Sequence, residues 1–127
     1  MKIGIDGNEA NVRDRVGSGM YSFQLIKHLY EIDTWNEYII YLKEPPRIEM
    51  PKERKNWKYK TFGPEKLWTQ FALPIKLYTQ KIKLDVFYSP GHYAPRFCPF
   101  PTVVAPLDLA YLKFPEYFKK SDLIQLK

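Results

Sequence analysis

Cysteine and histidine are nearly missing from this chain, which carries one cysteine, Cys98, and two histidines, His28 and His92. A single thiol excludes both an intrachain disulfide and a thiolate metal cluster, so no metal site is expected. Cys98 lies between Phe97 and Pro99, with Arg96 as its nearest cation and no neighbouring base, and reads as a packed thiol. Long apolar runs are missing too, and the opening MKIGIDG has no charged and apolar leader. A reducing, cytoplasmic setting follows, with peripheral contact at the inner membrane face left open. Glycine is sparse, and no GxxxxGK[ST] occurs, which excludes a Walker-type phosphate loop. GSGMYS, from Gly17 to Ser22, fails the GxGxxG pattern at its last position.

What remains is ample for a core. In 127 residues, 45% are hydrophobic and 17% aromatic, which argues against disorder and for one small globular domain or a piece of a larger protein. The net charge of +6 fits an anionic ligand, an acidic surface or simply a solvated basic face. Between Lys43 and Lys60, basic side chains alternate with Glu44, Glu49 and Glu53, and Trp57 and Tyr59 interleave. The interspersed acids favour a solvated strand edge over a phospholipid surface, and nucleic acid is not expected.

Lys2 to Asp6 alternates isoleucine with small residues and predicts a buried first strand, followed by a polar loop to Gly17. Tyr21, Leu25, Leu29 and Ile32 recur at helical spacing, with Ser18 as the predicted N-cap and Asp33 near the exit. Glu37 to Lys43 predicts a second strand that Pro45 and Pro46 end, and Trp57 to Phe62 a third near the sheet edge. A second helix follows Gly63 and Pro64, with Leu67, Phe71, Ile75, Tyr78 and Ile82 on its apolar stripe and Pro74 kinking or breaking it. Asp85 to Tyr88 and Thr102 to Ala105 are too short for helices and predict two buried parallel strands, with a last helix opening near Pro115. Right-handed crossovers fold this order into an α/β domain, a mostly parallel sheet with helices on both faces. The final SDLIQLK starts an apolar stripe with nothing after it, as in a chain cut short.

Ligands of such sheets bind at the carboxyl ends of the strands. Ser89, His92 and Tyr93 follow the fourth strand and Asp108 the fifth. Pro90 and Pro95 stiffen the first of these loops, where an imidazole and a phenol either hydrogen-bond a sugar hydroxyl or simply face water. Asp108 either caps the next turn or orients a ligand hydroxyl. Gly17, Ser18 and Gly19 at the mouth of the first helix are either an ordinary helix start or an anion site built from free amides and the positive helix end. Asp6 would be partly buried and reads as structural, and His28 as structural or solvated. No residue presents itself as a nucleophile or base, so the catalytic residues are unknown from sequence.

KIGIDGNEANV, GSGMYSFQLIKHL, DVFYSP and above all VVAPLDLAYLKFPEYF together resemble the N-terminal half of group 1 (family 4) retaining glycosyltransferases of GT-B fold. The last of these looks like the family's VVTIHDL followed by FPEYF. Most of the chain is covered, while Lys43 to Gln80 matches only in rough layout. The resemblance implies a Rossmann-like domain on the acceptor side of a cleft, with the nucleotide sugar held mainly by a C-terminal domain absent from these 127 residues. It implies hexosyl transfer with retention to a carbohydrate or lipid-linked hydroxyl, the nucleotide sugar being a substrate and no cofactor being required. Carried over, Gly17 and Gly19 match the turn near the donor diphosphate, with Ser18 between them. Asp108 matches the aspartate of HDL, and the loop of His92 and Tyr93 a segment facing the acceptor. Leu107 stands where the family has a histidine that contacts the donor sugar, and leucine makes no hydrogen bond there. The alternative is a non-catalytic sugar or nucleotide binding module of the same fold.

Overall fold

The computed structural model describes residues 1–91, 93–120 and 123. Five parallel strands form one sheet: β1 (Lys2–Asp6), β2 (Glu37–Leu42), β3 (Trp57–Thr61), β4 (Val86–Ser89) and β5 (Thr102–Val104), in the order β3-β2-β1-β4-β5. With helices on its faces, this is an α/β, Rossmann-like architecture. β2 is buried along nearly its whole length because both of its faces are covered, as parallel strands require. Tyr38, Ile40 and Leu42 pack with Ile26 of α1 (Ser18–Ile32) and with Ile5 and Trp57. Ile39 and Tyr41 face the other way, into a second core with Phe87 and the segment after β3.

Aromatic contacts fix the outer strand. Trp57 is fully buried, 4.8 Å from the Tyr38 ring and edge-on to Tyr30 at 5.2 Å. Truncating such an indole typically costs about 3–5 kcal/mol. Asp33 closes the end of α1. Its carboxylate accepts from the amides of Trp35 and Asn36, from Asn36 Nδ2 and from the Tyr38 hydroxyl at 2.6 Å, and this last bond leads the effects that hold its pKa far below the ordinary range. At the other end of α1 the cap is Gly17 rather than Ser18, and no side chain bonds the exposed amides. Gly17 has φ 49°, a backbone glycine adopts without strain, so the turn is made by conformation and the serine hydroxyl is not needed.

The second helical segment departs most from the periodicity in the sequence. It is split, as Pro74 predicts, into a π-helical turn, Trp68–Ala72, and α2, Leu73–Thr79, with the proline in the first turn of α2. In the π turn the Leu73 amide bonds Trp68 O, five residues back, so Trp68 and Leu73 come to the same face. Trp68, Ala72, Leu73 and Leu77 are buried against the sheet. The indole of Trp68 stacks on Phe62 at 5.0 Å and donates to Phe62 O at 2.8 Å. Four residues of the expected apolar stripe face outward, Leu67, Phe71, Ile75 and Tyr78 being 59–64% exposed, while the fifth, Ile82, lies beyond α2 and packs against the second core. The periodicity marks residues that share a face, but the face turned to the sheet is the one that carries Trp68, Leu73 and Leu77.

Two further expectations are corrected. Thr102–Val104 is an edge strand paired only with β4, and all three residues are exposed, so the run is not a buried strand. No helix opens at Pro115 itself: α3 spans Ala110–Lys113, Pro115–Tyr117 is a short 3-10 turn, and Lys120 and Leu123 are the next helical residues among those described. The stripe expected to open at Leu123 and Leu126 falls largely outside the described residues. Among the described residues no helix is long and apolar enough to cross a membrane.

Candidate functional site

The strand order places a seam between β1 and β4. From β1 the chain builds outward through β2 to β3, then crosses back to lay β4 and β5 on the other side. The loops leaving β1 and β4 flank a crevice at the carboxyl ends of these strands, the usual ligand position in this architecture. A cavity of about 240 Å³ lies there. Asp6, Asn8, Glu9 and Val12 line it from β1 and its loop, and Lys43 from the end of β2. Ser89, Gly91 and Tyr93 complete it from β4 and the loop beyond, with Thr69 of the π turn at one side.

Local hydrogen bonds hold these walls. Asn8 donates from its amide and its side chain to Asp6 Oδ1 at 3.1 and 2.9 Å, while its own Oδ1 accepts from the Lys43 amide at 2.8 Å. Asn11 repeats the device, donating to Pro45 O and accepting from the Arg47 amide. The loop after β1 is thus pinned to the end of β2. Ser89 Oγ donates to Tyr93 O at 2.6 Å, which curls the loop after β4 back toward its strand. Ser22 of α1 and Pro90 O meet at 3.5 Å, and the hydroxyls of Tyr21 and Tyr88 at 3.2 Å, so α1 leans against the same loop.

Asp6 is 8% exposed, and burial pushes its pKa up to about 7. The Asn8 amide pulls it down, and the negative charge of Glu9 raises it again. Asp6, which holds its proton below about pH 7, can donate to or accept from a hydroxyl, while the Glu9 carboxylate accepts from one and disfavours a second anion. Lys43 at the rim offers one cation. Among the described residues no three His, Cys, Asp or Glu side chains group in a way that could hold a metal ion.

The residues singled out from sequence are only partly gathered here. Tyr93 lines the cavity. His92 falls outside the described residues. Gly17, Ser18 and Gly19 are not in its lining, and the Gly19 amide is already given to Val16 O at 3.0 Å. Gly19 nevertheless touches the site from the rear: a Cβ there would stand 2.9 Å from Glu9 O, so the helix can approach this loop only without a side chain at 19. Asp108 is exposed, caps α3 by accepting from the Ala110 amide at 2.6 Å, and does not line the cavity. Asn8, Glu9, Lys43 and Thr69 are the residues that sequence reasoning passed over. The signal for the first two was their place immediately after a strand that turns out to border the seam.

No protein-family model matches this chain, and neither does any curated protein or solved structure.

Proposed function

We propose that this chain is the acceptor-side domain of a retaining glycosyltransferase, binding a hydroxylated acceptor in the cavity between β1 and β4 while a second domain holds most of the nucleotide sugar. The observation that supports this reading best is the pairing of Asp6 and Glu9 with Asn8 and Ser89 in one small pocket at the carboxyl ends of adjacent parallel strands. Carboxyl and amide oxygens accept from sugar hydroxyls, and the negative charge of Glu9 disfavours a diphosphate there. In the transfer, the acceptor hydroxyl's oxygen bonds the sugar's anomeric carbon as the bond to the diphosphate breaks, the hydroxyl proton passes to the departing diphosphate, and stabilisation of that group's charge falls to the donor side. This chain would position the acceptor and lower the entropic cost of the encounter.

The second reading, a binding module without transfer activity, draws on the capping role of Asp108 and on Leu107 beside it. One experiment separates these readings from a nucleotide-binding domain. Methyl glycosides should bind the chain, and Glu9→Gln should weaken that binding by about tenfold, the loss of one charge-assisted hydrogen bond. UDP or GDP should add little to the melting temperature. Tight nucleotide binding with no response to glycosides would end the acceptor reading. Release of nucleotide diphosphate from hexose donors, once a donor-binding domain is supplied, decides between transferase and binder.

A further inference from the structure

The polar pocket continues into a second hollow. Asn8, Lys43, Thr69 and Tyr93 line both, and the larger space of about 780 Å³ runs from them along the outward face of the split helix. Its walls there are Leu67, Phe71 and Ile75, with Phe97 of the loop after β4. Trp68, immobilised on Phe62, also lines it and gives a rigid backing. Exposed apolar side chains lining one groove are unusual on a soluble surface and mark a binding surface. The two spaces also differ in scale. The polar pocket, at about 240 Å³, is smaller than ordinary small-molecule sites of roughly 300–1,000 Å³, whereas the groove falls within that range.

From this continuity, and resting on the acceptor reading above, we infer that pocket and groove form one site for an amphipathic acceptor, whose hydroxylated head enters between Asp6 and Ser89 and whose hydrocarbon chain lies along Leu67, Phe71 and Ile75. A second protein copy or a partner helix would cover the apolar wall but would have no use for the carboxyl-lined pocket into which it opens. A ligand that is polar at one end and apolar along its length matches both. Lys43, which lines both spaces, places a cation where head and chain would join, and Arg96 and Glu65 line the groove beyond it.

The test is a titration of the full chain with methyl, butyl and octyl glycosides of glucose, galactose and mannose, each below its micelle-forming concentration. Full burial of a methylene is worth about fourfold in affinity, so even partial shelter of the octyl chain should tighten binding by about tenfold or more over the methyl glycoside. Phe71→Ser and Ile75→Ser, both at outward-facing positions, should remove most of that gain and leave methyl glycoside binding unchanged, with circular dichroism confirming the fold. Equal affinity for methyl and octyl glycosides overturns the groove assignment and leaves the acceptor reading standing. A chain-length gain that survives both substitutions also overturns it. If no glycoside binds, whether or not 1-octanol does, the acceptor reading and this inference fall together. A concentration-dependent dimer that the same substitutions dissolve would assign the groove to a second copy instead.

Discussion

The carboxylate of Glu9 occupies the space into which a side chain at Gly91 would project, so the loops leaving β1 and β4 interlock across the seam of the sheet. Both residues line the pocket, so they meet at its wall. Gly91→Ala should push the Glu9 side chain aside and destabilise the fold by about 1–3 kcal/mol, the usual range for overpacking. In a Glu9→Ala background the same substitution should cost little. Urea unfolding of the four proteins of this double-mutant cycle gives the coupling directly, and additive effects would mean that the two residues do not share the space.

Asp6 predicts an unusual dependence of stability on pH. Its folded pKa of about 7 exceeds the unfolded value near 3.8, so between these values the native state holds a proton that the unfolded chain has released. Stability from this group is therefore fully present below the unfolded pKa and declines as pH rises toward 7. Asp6→Asn keeps an oxygen to accept from Asn8 and removes the titration. Relative to the substituted protein, the native sequence should lose on the order of 2–4 kcal/mol between pH 4 and pH 8. Parallel stability curves across that interval would show that Asp6 ionises normally.

Leu67 sits at φ 54°, the left-handed region, immediately before the π turn, and its side chain is mostly exposed. Leucine there costs about 1–2 kcal/mol, and glycine would remove that cost while adding roughly 0.5–1 kcal/mol of unfolded-state entropy. Leu67→Gly should thus leave stability unchanged or raise it by up to about 1.5 kcal/mol, as read by thermal and urea unfolding. A clear loss would reveal that the side chain is held by contacts in the groove.

Most of the sheet was legible from residue order alone. Ile3 and Ile5, and the run Tyr38 to Leu42, carry a strand signal that no helix competes with, and the glycine turn and Asp33 bracket α1 as expected. Pro74 also marked the break in the second helix. The face of that helix did not follow from periodicity, because Trp68 gains more by burial against Phe62 than any residue of the outward stripe could, and the π turn accommodates it. For the same reason of context, the apolar Val103 and Val104 read as buried when they lie on an edge. The site was half visible. Tyr93 and Ser89 follow a strand and could be placed at its end, whereas Glu9 and Lys43 come together only through the neighbour relations of β1, β2 and β4, which no local pattern encodes.

The middle position of β1 has a consequence for how the molecule is assembled. Ile3 pairs with Tyr38 on one side and with Val86 on the other, so one neighbour emerges from the ribosome long before the second. The half built on β2 and β3 can zip up early from near contacts, whereas the other must wait for a distant segment, a slower closure. Because the cavity straddles the line where these halves join, it takes shape only when β4 has docked beside β1.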